Sequence, residues 1–351
     1  MSVRAATATA DGAATLGVAW PDVYFTPGYG AAAAVAERAE WRLTHWRDRV
    51  LVPLLVRPVD PAGRDGVSPY GYCGVHVAPG TTPAELAAFW ARAVPAWREA
   101  GLVSLFLRLS PLDPRSTAVV RAAGVVSLDP RGDTVTVPVG GGPGDVWDAM
   151  AGRSRTAVRK AERAGLTADV RPAGAEDVAA GSDFRRLYER TMRRVGGSPG
   201  YLFTDAYYRA LADGVGKGLL RASVTAPDGR AVAAALVLRH ADRAHYHLSG
   251  SDPAAARDGA NNLLVWSILR WAAESGCDLV HLGGGRVPDD SLLAFKRSFG
   301  GRRSTFHTAS VVLDPGRYAD LVAARARELG RPADELAATN FFPAYRYGGS
   351  R

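Results

Sequence analysis

Lysine is almost missing from this sequence. Of 43 basic residues only Lys160, Lys217 and Lys296 are lysine, and the rest are arginine. Together with abundant alanine and glycine, that bias suggests a GC-rich bacterial genome. Each remaining lysine therefore stands out, because a compact ammonium and a planar guanidinium fork do not replace one another at a tight site. Cysteine is as scarce. Cys73 and Cys277 can build neither a disulfide framework nor a thiolate zinc site, which fits a reducing cytoplasm. No apolar run approaches the roughly 18 residues that span a bilayer. Met1 to Thr15 lacks the basic start and apolar middle of a secretion signal and reads as a loose tail. A cytoplasmic protein without a membrane span is expected, as a monomer or weak dimer.

What is present is enough chain for two domains: 351 residues, each half able to bury its own core. The net charge of +8 admits an anionic partner such as nucleic acid, nucleotide or phosphate, and equally a solvated basic surface. Thr82-Pro83-Ala84-Glu85 is a capping box with proline at the first helical position. It opens a helix to about Ala100, with Trp90 and Trp97 on one face, Gly101 as its stop, and Pro95 expected to kink or break it. The strand Leu102 to Leu107 follows. Much later a helix over Asn261 to Ser275 stops at Gly276 and leads into the strand Cys277 to Leu282. One theme used twice suggests duplicated α/β units. Gly140 to Gly144 makes a turn between the halves and places the division between about residues 138 and 166, giving domains over 1–150 and 151–351.

The second half opens on a basic helix from Arg153 to Ala164, stopped by Gly165. Asp183 to Val195 is a second helix, with Phe184, Leu187, Tyr188 and Thr191 at apolar spacing and Arg185, Arg186, Arg190, Arg193 and Arg194 around it. Thr204 caps a helix carrying Tyr207 and Tyr208. Gly218 to Thr225, Ala231 to Arg239, Arg243 to Ser249 and Thr305 to Leu313 read as strands, with a turn at Pro227-Asp228-Gly229. Helices near Ala319 to Leu329 and Pro332 to Ala338 close the chain. This mixture argues an α/β or α+β fold rather than a bundle or sandwich.

The densest chemical signal is His281-Leu282-Gly283-Gly284-Gly285, followed by Asp290-Ser291-Leu292-Leu293-Ala294-Phe295-Lys296-Arg297-Ser298-Phe299-Gly300. A strand ends in glycines that admit a ligand close to backbone. A short helix then delivers an ammonium, which can hold a phosphate or steady a developing oxyanion. The plainer reading is a tight strand-to-helix turn with a surface lysine.

This run resembles the C-terminal signature of the FemABX aminoacyltransferases and their GNAT-like relatives. The stretches RTAVRKAERAGL (Arg155 to Leu166), LYERTMRRVG (Leu187 to Gly196), YHLSGS (Tyr246 to Ser251), SPYGYCG (Ser68 to Gly74) and FFPAYR (Phe341 to Arg346) are similar to others of that family, in the same order. The resemblance implies two tandem GNAT-like domains packed across a cleft. It implies transfer of an amino acid from charged tRNA onto an amine, with aminoacyl-tRNA as co-substrate and no separate cofactor or metal. It assigns Phe295 and Lys296 to catalysis. Arg194, with Arg193 beside it, falls to acceptor phosphate, and Tyr246 to substrate binding. Gly283 to Gly285 and Tyr207 are further candidates for substrate binding, and Tyr70 and Tyr72 are packing or acceptor-channel residues rather than catalysts. Arg155, Arg159, Lys160 and Arg163 could follow a tRNA backbone, or form a solvated helix face. The family's long coiled-coil arm is absent, and no close match to its first-domain muropeptide residues is found, which leaves the small-molecule or peptide acceptor open.

The chemistry asks for an amine, an activated ester and somewhere for a proton to go. A substrate phosphate, Asp290 and His281 are the available acceptors. His245 and His247 share one face of a strand, but no third ligand at metal spacing accompanies them. Asp258-Gly259-Ala260-Asn261 lies where acetyl-CoA enzymes bind pyrophosphate at a helix N-terminus. The expected Arg/Gln-x-x-Gly-x-Gly/Ala pattern is incomplete, so an ordinary helix start is the simpler reading. An acyl-CoA-dependent N-acyltransferase on the same fold is the alternative to tRNA-dependent transfer, and a non-catalytic binding relative is a third class.

Overall fold

The computed structural model describes residues 6–60, 63–121, 126–285, 287 and 289–349. Its strands are β1 (Ala6–Thr9), β2 (Glu40–Trp46), β3 (Val50–Pro58), β4 (Arg64–Val67), β5 (His76–Val77), β6 (Leu102–Arg108), β7 (Val126–Pro138), β8 (Thr167–Pro172), β9 (Leu219–Thr225), β10 (Ala231–His240), β11 (Arg243–Ser251), β12 (Leu279–Gly284) and β13 (Arg302–Val312). Its helices are α1 (Ala10–Ala14), α2 (Pro27–Glu37), α3 (Pro83–Glu99), α4 (Ser116–Arg121), α5 (Pro143–Ala149), α6 (Gly152–Arg163), α7 (Ala175–Val178), α8 (Asp183–Arg194), α9 (Asp205–Val215), α10 (Pro253–Arg257), α11 (Ala260–Glu274), α12 (Ser291–Arg297), α13 (Pro315–Leu329) and α14 (Ala333–Ala337). The longest described helix, α3, has 17 residues, and no described helix is long and apolar enough to cross a membrane.

The chain forms two compact units, Met1–Arg131 with Phe306–Arg351, and Gly132–Thr305. A single break near residue 150 is therefore not the path taken. The reason is β13, whose Thr308–Val312 pairs antiparallel with Ser104–Arg108 of β6 and so returns the end of the chain to the first unit. Strand order there is β1-β2-β3-β4-β6-β13, with β5 on β3. The N-terminus is not the loose tail expected. Ala6–Thr9 pairs with Arg42–His45 of β2, where alternating Ala and Thr suit a pleated edge. Residues 1–5 of that tail lie outside the described residues. Nor does Pro95 end α3. Thr82 and Glu85 close the capping box, and buried Trp90 and Trp97 flank the proline. Tertiary packing of that face outweighs the hydrogen bond lost at Pro95.

In the second unit the order is β7-β12-β11-β10-β9-β8, antiparallel throughout except for β11 and β12, which run parallel. Its core is built from Val135, Val137, Ala244, Val280 and Leu282 on one face of the sheet, covered by Val158 and Ala161 of α6 and by Leu264, Ile268 and Leu269 of α11. On α8 the apolar set is Phe184, Leu187 and Tyr188. Thr191, expected among them, instead bonds the backbone of Ser251 in both directions. Arg185 is a further departure. It is buried, not peripheral, and its guanidinium bonds Glu189 and Asp205 and lies 4.3 Å from the centre of the Tyr208 ring.

Candidate active site

The site grows from one rung of the second sheet. Ala244, Val280 and Val137 lie side by side across β11, β12 and β7, and all three belong to the core. The next rung is His245, His281 and Thr136, which by strand alternation occupies the opposite face. Both histidines are 1% exposed, and their ring centres are 5.6 Å apart at 71°. This is also the last rung of the parallel ladder, which runs only from Arg243/Leu279 to His245/His281. Beyond it β11 continues to Ser251 and β12 to Gly284 outside that ladder. Open α/β sheets take their ligands past the carboxyl ends of such strands.

The β12 side of this opening carries Gly283, Gly284 and Gly285. Gly283 has φ +72°, which glycine adopts without steric cost. At Gly285 an added Cβ would stand 2.3 Å from Asp290 Oδ1, so only glycine lets that carboxylate close. Asp290 caps α12 by accepting from the Leu293 amide at 2.8 Å. That cap aims Lys296, one turn and a half later, back at β12: its Nζ donates to the Gly284 carbonyl at 2.7 Å. Lys296 is 9% exposed. Burial pushes its pKa down to about 8, with Asp290 pulling the other way. The surface-lysine reading is therefore excluded. Phe295, expected beside it in catalysis, packs on the core and against Phe299 at 5.2 Å, and so anchors α12. The far end of α12 is tied to α6 by a buried Ser154–Ser298 hydroxyl pair at 2.6 Å and by the Ala151 amide on the Ser298 carbonyl.

On the β11 side, the Tyr207 hydroxyl meets His247 Nε2 at 3.2 Å. Burial, with His245 adding to it, pushes the His247 pKa down to about 3. Tyr246 faces the other way, against the core, and burial raises its phenol to about 12. The structure thus separates Tyr246 from the histidine rung. Arg194 lies at the far end of β11, with Nη1 at 3.4 Å from the Ser251 carbonyl that Thr191 also touches. Arg193 is exposed and pairs with Glu189 at 3.2 Å. Tyr70 and Tyr72 belong to the first unit. The Tyr70 carbonyl accepts from the Tyr29 hydroxyl, and Tyr72 packs on Tyr24 and Phe306.

The basic helix α6 divides its cations. Arg155 donates to the carbonyls of Trp147, Asp148 and Met150 and so closes the end of α5. Lys160 reaches the Arg257 carbonyl at 2.8 Å and the Asp258 carboxylate at 3.1 Å. Neither is spare for a ligand. Arg159 and Arg163 are exposed and, with Thr156 and Glu162, line a concavity of about 610 Å³. Arg159 also sits 5.3 Å from the centre of the Trp147 ring. The other side of α6 lies on the start of α11. Gly259 there is buried with φ +87°, and an added Cβ would stand 2.3 Å from the Ala157 carbonyl oxygen. The Asp258 and Gly259 amides already donate to Ala255 and Ala256.

Along the sequence His245 stands with His247, and His281 stands apart. β11 and β12 set His245 against His281, and register between strands far apart in sequence is not written in either one. The alternation of Val280 and Leu282 around His281 was the available signal.

Residues 150–297 match the family model of the acetyltransferase (GNAT) domain. No curated protein matches the chain. Among solved structures the chain is similar to FemX, with 14% identity over 90% of this chain and 98% of that one and a TM-score of 0.68. It is also similar to the C-terminal domain of a putative lysylphosphatidylglycerol synthetase from Agrobacterium fabrum, at 15% identity, 86% and 91% coverage and TM-score 0.54. L-PGS from Bacillus licheniformis follows at 14% identity, 82% and 85% coverage and TM-score 0.54. The fold is thus the one seen in FemX. The stretch that matches the acetyltransferase (GNAT) domain model lies inside the second unit.

Proposed function

We propose that this protein is an aminoacyltransferase that forms an amide bond, taking an amino acid from aminoacyl-tRNA and placing it on an amine of a peptide or nucleoside natural product or of a peptidoglycan precursor. The observation that carries the reading is the buried Lys296 ammonium at the mouth where β11 and β12 leave their ladder. An activated ester needs little more than positioning and a cation for its oxyanion; orientation alone supplies on the order of 7 kcal/mol in favourable cases. Arg159 and Arg163 face outward on α6 and suit a phosphate chain, and the exposed Arg194 suits an acceptor phosphate.

The acetyltransferase domain match favours a second reading, acyl-CoA-dependent N-acylation. That donor needs free amides at the start of α11 for its pyrophosphate. Here α6 packs against Gly259, and the Asp258 and Gly259 amides are already bonded within the turn, which supports the tRNA donor.

The test compares donors. Product should form with amino acid, ATP, synthetase and tRNA together, and ribonuclease should abolish it. Binding of charged tRNA should weaken with salt at a log–log slope near about −0.7 per single-strand phosphate contact, and Arg159→Ala and Arg163→Ala should each make it shallower. Product from acetyl-CoA alone, untouched by ribonuclease, would put the second reading in its place.

A further inference from the structure

We infer that His281 is the acid–base residue of the transfer step, taking the proton of the attacking amine and returning it to the leaving ribose oxygen. The inference rests on the aminoacyl-transfer reading and adds a residue to it. A histidine on an apolar strand has a bland explanation, as packing, and three observations speak against that here. His281 points away from the core, since Val280 and Leu282 take the core positions on either side of it. It sits at the rung where the parallel ladder ends, the end of the sheet past which open α/β sheets take their ligands. Lys296 also reaches the same strand, its ammonium bonding the carbonyl of Gly284 three residues on.

His245 from β11 and Lys296 from α12 act on His281, with Asp290 behind Lys296. From β7 its neighbour is Thr136. Burial first, then His245 and Lys296, hold the His281 imidazole neutral far below the usual histidine range. A neutral imidazole can accept a proton, and an imidazolium beside an ammonium gives it up readily.

The step balances without any further reagent. The amine nitrogen attacks the ester carbonyl carbon, an N–C bond forms, and the carbonyl oxygen takes negative charge facing Lys296. The nitrogen, now cationic, passes one proton to an imidazole nitrogen of His281. The carbonyl reforms, the C–O bond to ribose breaks, and the leaving oxygen takes that proton from the imidazolium. His281 ends as it began, and amide and free tRNA are released.

The experiment uses the full chain, a pool of charged bacterial tRNA as donor and glycinamide as the amine, reading aminoacyl-glycinamide by mass. The wild-type protein should accelerate its formation over the uncatalysed rate. His281→Ala should lower kcat by about 100-fold or more with a smaller change in KM, and added imidazole should restore part of it. A fold-only role would not give imidazole rescue. Lys296→Met reads the same idea without touching His281: the residual rate should show its acidic limb moved to higher pH, because one of the groups that hold the imidazole neutral is gone. If His281→Ala keeps the wild-type rate, or if it loses the rate without rescue while the acidic limb of Lys296→Met stays where it was in wild type, His281 is not the acid–base residue. If wild type itself gives no acceleration, the aminoacyl-transfer reading falls, and this inference with it.

Discussion

At the scale of single residues, Lys296 is the side chain whose environment says most. It meets the Gly284 carbonyl and feels the Asp290 carboxylate, and burial outweighs the carboxylate. Replacing it with alanine should lower transfer at least about tenfold, a cautious floor for losing an oxyanion stabiliser. Arginine should fail too, because its fork cannot occupy the point beside Gly284. The pH dependence has a definite sign. The folded pKa, about 8, is below the ordinary lysine value of 10.5. Below pH 8 the ammonium is present in folded and unfolded chains, activity is full, and the fold carries the cost of a buried charge. As pH rises from about 8 to 10.5 the unfolded chain binds the extra proton, so this group's contribution to stability grows by about 3 kcal/mol, while activity falls. Urea denaturation of wild type and Lys296→Met across that interval, set beside rate profiles, should show the two trends in opposite directions. Parallel stability curves for the two proteins would contradict it.

At the scale of elements, α6 is the part whose meaning changed most between sequence and structure. Its cations read as one surface, yet Arg155 closes α5 and Lys160 is latched to Arg257 and Asp258. Spacing along a helix says which residues share a face and nothing about what that face meets. The contact with α11 depends on Gly259. Gly259→Ala would force a left-handed φ on a residue with a Cβ and drive that Cβ onto the Ala157 carbonyl. A loss of on the order of 1 to 3 kcal/mol is expected, with faster amide exchange along α6. Wild-type exchange in that helix would mean the contact is not tight. Elements with strong local signals were legible: the Thr82 capping box, the Thr204 cap before Tyr207, and the Gly276 stop after α11 all lie where the sequence put them. Pro95 and the first strand were not, because in both cases distant packing partners decide the outcome. The Phe-Lys helix was legible as a unit, but the division of labour inside it was not, since only the cap at Asp290 determines that Lys296 looks inward while Phe295 anchors.

At the scale of the whole chain, a mixed α/β fold in two parts was legible from motif order, and the route between its parts was not. The stretch FFPAYR, noted only as a resemblance, turns out to close the first unit. Arg346 and Arg57 both bond the Asp65 carboxylate, and the Tyr345 hydroxyl bridges Asp65 and Ser104. Asp65 is 1% exposed, so its charge depends on those partners. Arg346→Ala should cost on the order of 2 kcal/mol and should deprotect the amides of β4 and β6 in hydrogen exchange while leaving β9 to β11 as they were. Equal protection in both units would show that the grip on Asp65 contributes little.

The returning strand β13 also fixes an order of events on the ribosome. The second unit has all its residues once Thr305 has emerged, whereas the first must wait for Phe306 onward. Until then β6 has β4 on one side and an unpaired edge on the other, a surface open to wrong partners. The half of the chain made first is therefore finished last, and a pause in translation beyond Thr305 would expose it longest.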